Sequence, residues 1–186
     1  EAGVKYEEPE HVTLELDKET SVNGTYDIVI YGAVDDIKSA SNWSYNNKFD
    51  SYESLASGDS FGYIAQLAGY AKAAGKKAGG WWVVNKANGA FKYVPATGLD
   101  VDAEVAKIQE VHNTVEKNEF KRCHEPEIET FRGKPTGNKI LSVHCGFCSY
   151  RFDCWPTLKE LPAVMSQAKS PKTMNYVELD DKYNAS

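Results

Sequence analysis

Between Gly24 and Lys38 the chain reads GTYDIVIYGAVDDIK, two short runs rich in Val, Ile and Tyr that meet at Tyr31-Gly32. β-Branched and aromatic residues suit a pleated strand, and the stretch is predicted to be a tight β-hairpin. With Tyr31 and Gly32 as its loop, Ile30 pairs with Ala33, Val29 with Val34, Ile28 with Asp35 and Asp27 with Asp36. Like charges directly opposite one another, with Cβ atoms about 5 Å apart, are destabilising, so the last of these pairings needs a compensating reward. Side chains alternate along a strand, which puts Lys38 on the face of Asp36 and turns Ile37 the other way. Two acids and one amine are therefore expected to converge above an otherwise apolar surface.

A divalent cation between the two carboxylates would supply that reward. Mg²⁺ takes oxygen ligands, usually one or two carboxylates together with waters and substrate phosphate. A bound metal lowers the pKa of its water and neutralises charge on a phosphoryl oxygen, while a nearby Lys holds water or phosphate. Asp27 followed by Asp36-Ile37-Lys38 resembles the signature of the PD-(D/E)XK nucleases, with Tyr26 standing where the proline before the first acid would be. The resemblance implies phosphodiester hydrolysis. It assigns Asp27 and Asp36 to Mg²⁺ or Mn²⁺, the Ile37 carbonyl to a further ligand position and Lys38 to water attack.

Phe61 to Ala74 is dense in Ala, preceded by Asp59 and Ser60 as caps and stopped by Gly75, and is predicted to be a helix. Gln66 and Tyr70 lie four apart on one face, while Ile64, Leu67, Ala68 and Ala71 form a core-facing stripe. A Gln-x-x-x-Tyr pair one helix after such a hairpin resembles the RecB-like branch of the same superfamily. That implies a role for Gln66 and Tyr70 in holding substrate or water. Trp81 to Lys86 and Ala90 to Pro95 flank Asn88-Gly89, a strong turn dipeptide, and predict a second hairpin extending the sheet. Asp100 or Asp102 opens a further helix to about Lys117, with Val101, Val105, Ile108, Val111 and Val115 at helical spacing. Upstream, His11 to Leu16 alternates like a half-buried strand, with Asn23-Gly24 as the turn into the hairpin. Residues 39–60 are polar and read as a long loop of the kind that serves as lid or binding loop, with Trp43, Tyr45 and Phe49 packing locally.

All four cysteines, Cys123, Cys145, Cys148 and Cys154, lie in the last third of the chain. Metal is a better reading of this spacing than disulfides, and thiolates select Zn²⁺ or an iron–sulfur cluster. One cysteine before a group of three resembles the staple of RecB-like nucleases, including helicase–nuclease subunits and CRISPR adaptation nucleases. The resemblance implies a structural 4Fe–4S cluster, with Zn²⁺ as the alternative. Gly146-Phe147 and Trp155-Pro156 are expected to shield it with apolar bulk.

The net charge of −6 excludes a generally nucleic-acid-coating protein, yet it hides an uneven distribution. From Ser60 to Leu99 there is no acidic residue, and Lys72, Lys76, Lys77, Lys86 and Lys92 alternate there with Tyr70, Trp81, Trp82, Phe91 and Tyr93. This stretch has two readings, a basic aromatic groove offered to a phosphate backbone or a solvated lysine face over a strand core.

The 186 residues, 41% hydrophobic, can build one compact domain with a real core. Its expected fold is α/β, a restriction-endonuclease-like central mixed sheet flanked by helices, with a C-terminal cysteine-ligated metal module. The nuclease core is placed at 1–118 and the cysteine module at 119–160, packed on the core. A short helix from Thr157 to about Gln167 leads into a polar tail, 161–186. No apolar run is long enough to span a bilayer and no signal-peptide pattern opens the chain, so the expected location is cytoplasmic, in the host if the protein is phage-encoded. Asn-x-Ser/Thr triplets at Asn23, Asn42 and Asn184 are read as chance. The expected function is a metal-dependent DNA nuclease, an exonuclease on single strands or duplex ends, in recombination, repair or degradation. An oligomer or a helicase or recombination partner stays open. The alternative is a non-catalytic nucleic-acid-binding or scaffold module stapled by a cysteine-bound metal.

Overall fold

The computed structural model describes residues 3–119 and 121–184. Where the sequence predicts one compact domain, the chain divides into two compact units, Glu1–Glu119 and Phe120–Ser186.

In the first unit β1 (Tyr6–Glu7), β2 (Glu10–Glu15), β3 (Ser21–Tyr26), β4 (Ile28–Ile30) and β5 (Ala33–Ala40) precede two short helices, α1 (Asn42–Asn46) and α2 (Tyr52–Ala56). Then come α3 (Tyr63–Ala74), β6 (Lys77–Asn85), β7 (Phe91–Pro95) and α4 (Val101–Glu116). The central sheet is mixed, ordered β1-β4-β5-β6-β7, with β5 and β6 parallel and the other neighbours antiparallel. Parallel neighbours need a crossover, and α3 lies within it. Ile64, Leu67 and Ala71 of α3 share one core with Val29, Val34, Trp81, Val83 and Val94 of the sheet, so the fold is mixed α/β with helices flanking a mixed sheet.

The central hairpin forms with Tyr31 (φ 50°) and Gly32 (φ 80°) as its loop, both left-handed as a type I′ turn requires. Ile30 pairs with Ala33, Val29 with Val34 and Ile28 with Asp35, and there the ladder stops. The chain bends at Asp27, and β3 leaves the central sheet to pair with β2, so the predicted Asp27–Asp36 rung is not made. Facing carboxylates would repel in such a rung. Asp27 instead takes the place of the missing strand with its side chain, Oδ2 accepting a hydrogen bond from the Ile37 N–H at 2.7 Å. The β2–β3 turn falls at residues 16–20, where Asp17 Oδ1 accepts from the N–H groups of Glu19 and Thr20, both at 2.9 Å. Asn23 and Gly24, predicted as that turn, lie inside β3. Gly24 is needed there because β3 passes close to α3: a Cβ at this position would stand 2.5 Å from Tyr70 Cε1.

Residues 39–60 are not the irregular loop the composition predicts. The Ser41 and Ser51 side chains accept from the N–H groups of Ser44 and Ser54, capping α1 and α2. Phe49 and Leu55 enter the core, whereas Trp43 stays exposed. Helix α3 begins where Asp59 accepts from the N–H groups of both Tyr63 and Ile64, and it ends at Gly75 (φ 62°).

The second unit holds β8 (Glu127–Phe131), β9 (Lys134–Ile140), a 3₁₀ turn at Cys145–Phe147, α5 (Arg151–Cys154), β10 (Lys159–Pro162), β11 (Thr173–Glu178) and α6 (Asp181–Asn184). Its antiparallel sheet runs β10-β11-β9-β8. Two predictions fall here. The region 157–167 supplies β10 in place of a helix, and 161–186 is no tail, because β11 lies between β10 and β9 with Tyr176 buried. Strand pairing overrides the weak local helical pattern. At the centre of this unit Glu129 is buried and accepts from Thr136 Oγ1 (2.7 Å), Asn138 Nδ2 (2.7 Å) and the Tyr176 hydroxyl (3.0 Å). Among the described residues no helix is long and apolar enough to cross a membrane.

Candidate functional site

Strand β5 turns Asp36 and Lys38 to the side of the sheet covered by α3, and α3 presents Gln66 and Tyr70 to them. Lys38 Nζ lies 2.7 Å from Asp36 Oδ2 and 3.0 Å from Oδ1, and donates to Gln66 Oε1 at 2.8 Å. Gln66 Nε2 in turn donates to the Tyr70 hydroxyl at 3.2 Å. A lysine ammonium can only donate, so the amide oxygen must face Lys38 and the amide nitrogen must face Tyr70. The Tyr63 ring lies 4.9 Å from Lys38 Nζ and adds a cation–π contact that the sequence reading does not contain. Asp36, Lys38, Gln66 and Tyr70 thus form one continuous chain of contacts, with Asp27 beside Asp36.

Asp36 is only 3% exposed. Burial pushes its carboxyl up to about 6; Lys38 opposes the rise and the neighbouring Asp27 adds to it. Asp36 Oδ2 is buried, and its charge is met by the ion pair to Lys38 Nζ at 2.7 Å, while Asp27 bears on the same carboxyl. Beyond Ile28↔Asp35, β5 has no paired strand on the Asp27 side. The N–H and C=O of one strand residue leave by the same edge, so the Ile37 carbonyl is directed to that side along with the N–H that Asp27 holds. Among the described residues no three His, Cys, Asp or Glu side chains are arranged to hold a metal ion. A cation at the hairpin would therefore rest on two carboxylates, a main-chain carbonyl and oxygens of water or phosphate, a donor set that suits Mg²⁺ or Mn²⁺.

On the opposite face of β5, Asp35 is buried and fully engaged, accepting from Tyr93 Oη (3.0 Å) and Trp82 Nε1 (3.1 Å). The basic aromatic groove is not brought together. Trp81 is a core residue, Trp82 and Tyr93 pack on the other face at 4.8 Å, Lys72 pairs with Asp102 and Lys76 with Glu7. Period-two alternation along β6 forces adjacent tryptophans apart.

In the second unit, Arg122 donates to the Cys154 carbonyl from Nε (3.2 Å) and Nη2 (3.0 Å), bringing the chain at Cys123 beside Cys154. Cys148 N–H closes the 3₁₀ turn on the Cys145 carbonyl at 3.0 Å. Burial pushes the Cys145 thiol up, and Cys148, Cys123 and Cys154 push it further. Their soft donor chemistry fits zinc or an iron–sulfur cluster, although the side chains do not stand as a closed ligand set. Phe147 is 88% exposed and does not shield them, while Trp155 lies 4.0 Å beneath the Arg122 guanidinium.

No family model, no curated protein and no solved structure matches this chain.

Proposed function

We propose that the first unit is a divalent-cation-dependent deoxyribonuclease of the PD-(D/E)XK type, RecB-like branch, acting as an exonuclease on single strands or duplex ends. One observation carries the reading: an unbroken contact chain from a buried Asp36 through Lys38 and Gln66 to Tyr70, beside Asp27. Asp27, Asp36 and the Ile37 carbonyl would hold Mg²⁺ or Mn²⁺. When bound, the cation lowers the pKa of its water and neutralises charge on a phosphoryl oxygen. Lys38, steadied between Asp36 and Gln66, orients the attacking water or a phosphate oxygen, and Tyr70 keeps the Gln66 amide turned for that task. A cytoplasmic role in DNA recombination, repair or degradation belongs to the same proposal. So does a structural 4Fe–4S cluster, or Zn²⁺, on Cys123, Cys145, Cys148 and Cys154.

The test is cleavage of labelled single-stranded and duplex oligonucleotides with Mg²⁺ or Mn²⁺. Asp36→Asn and Lys38→Ala should each lower the rate by about a thousandfold, and undiminished cleavage by both removes the assignment. Iron, sulfide and zinc analysis of anaerobically purified protein tests the cysteines; a metal-free preparation that keeps its melting temperature would overturn that part. A second reading, a nucleic-acid-binding module that does not cut, is favoured by the lack of a third acidic side chain at the hairpin among the described residues. It predicts binding without hydrolysis under every divalent metal.

A further inference from the structure

Beside the acid–amine chain lies a second cation that the nuclease reading does not use. Lys48 sits in the turn after α1, where Phe49 N–H bonds to the Ser44 carbonyl at 2.9 Å and the Phe49 ring is buried, so the direction of the chain at Lys48 is set. Its ammonium lies 4.8 Å from the Phe61 ring centre and 5.0 Å from that of Tyr63. The Phe61 and Tyr63 rings stack at 5.7 Å, and Phe49 stacks on Tyr63 at the same spacing. Tyr63 also carries Lys38 at 4.9 Å, so the two ammonium nitrogens are no more than about 10 Å apart.

Two features set Lys48 apart from an ordinary solvated lysine. Among the described residues it makes no ion pair and donates no hydrogen bond. The acid that acts on it, Asp59, has both oxygens engaged by the N–H groups of Tyr63 and Ile64. Burial among the rings lowers its amine from the usual lysine range, with the Asp59 charge opposing part of that shift, so the ammonium is partly stripped of water and no carboxylate is in contact with it among the described residues. Phe61, meanwhile, is 71% exposed next to that charge although Tyr63 stacks on it. An amine with no carboxylate in contact, beside a largely exposed aromatic ring, suits a single strand, a phosphate on one and a base on the other.

We propose that Lys48 and Phe61 grip single-stranded DNA beside the Asp36–Lys38 site, the Lys48 ammonium on a backbone phosphate and the Phe61 ring under the adjoining base. The choice of DNA rests on the nuclease reading. Tyr63 is the shared wall that fixes the grip relative to Lys38, and adjacent phosphates of one strand can bridge the distance between the two amines. Lys48 and Phe61 are substrate-positioning residues in this scheme; they do not take part in bond cleavage.

The experiment uses the full chain and a fluorescein-labelled oligothymidylate, with anisotropy read in Ca²⁺ and cleavage followed in Mn²⁺. Lys48→Ala should weaken binding about tenfold and make the salt dependence shallower by about 0.7 in the log–log slope, while Lys48→Arg stays within about twofold of wild type. Phe61→Ala should weaken binding about tenfold with the salt slope unchanged. Both variants should raise KM with kcat within about twofold. Thermal melts verify folding, and Lys48→Gln serves as a second, less disruptive variant. If the wild type cleaves and these variants bind and cleave as it does, the grip is wrong and the nuclease reading stands. If the wild type cleaves nothing but binding depends on both residues, the nuclease reading falls and the grip stands. If the wild type does not bind the strand, both fall.

Discussion

Two buried carboxylates, one in each unit, have opposite surroundings. Glu129 meets three neutral donors, Thr136, Asn138 and Tyr176, which engage both of its oxygens, and Asn138 continues inward by accepting from the Asp180 N–H at 2.9 Å. Asp36 meets a cation and a second acid, and keeps one oxygen without a hydrogen bond. The first arrangement completes itself and rigidifies a small polar core. The second sets one cation against two acids and leaves negative charge in excess. Asp35, one residue from Asp36 and equally buried, behaves like Glu129, since Trp82 and Tyr93 engage both of its oxygens. Burial of an acid therefore does not by itself single out a residue; a second acid beside it distinguishes Asp36 from Asp35 and Glu129.

The contrast breaks most sharply under Asp36→Asn. Cleavage should fall by about a thousandfold, about 4 kcal/mol of transition-state stabilisation, while the fold becomes more stable at neutral pH. The wild-type carboxyl titrates near 6 in the folded chain against 3.8 when unfolded, so the folded state holds the proton more tightly. Wild-type stability therefore falls as pH rises from about 4 to about 6, and the asparagine variant lacks that fall. Single-turnover rates and denaturant melts at pH 4, 6 and 8 would read both effects. Glu129→Ala should act in the opposite sense, losing about 2–4 kcal/mol from the second unit because three buried partners lose their acceptor. Denaturant unfolding followed by near-ultraviolet circular dichroism checks it. A smaller effect concerns pH and metal together: the cleavage rate should rise through about pH 6 at low Mg²⁺, and the inflection should move to lower pH as Mg²⁺ increases, because the cation favours ionised Asp36. Least of all, Tyr70→Phe removes the acceptor of the Gln66 amide and should lower kcat/KM about threefold to tenfold.

Much of this was legible in the order of residues. The loop at Tyr31-Gly32, three of the four hairpin pairs, the helix bearing Gln66 and Tyr70, and the hairpin at Asn88-Gly89 all follow from local patterns, and the structure forms each of them. The bend at Asp27 did not show, because nothing in GTYDIVI separates a strand that stays in the sheet from one that leaves it. Five-residue helices such as α1 and α2 are too short to display a period, and only the Ser41 and Ser51 caps marked them. Lys48 and Phe61 are hidden for a related reason: thirteen positions apart in the chain, they meet only once the chain has folded around Tyr63. The second sheet was missed because its interior is built on Glu129, Thr136 and Asn138, residues that a hydrophobic pattern passes over.

At Gly24 the backbone of β3 nearly touches the ring edge of Tyr70. Any other amino acid there would shove the tyrosine aside and, through Gln66, unsettle the lysine two contacts further on. A single hydrogen at that α-carbon thus acts as a shim setting the height of the helix above the hairpin. A methyl group added at this spot would disturb Lys38 without touching it.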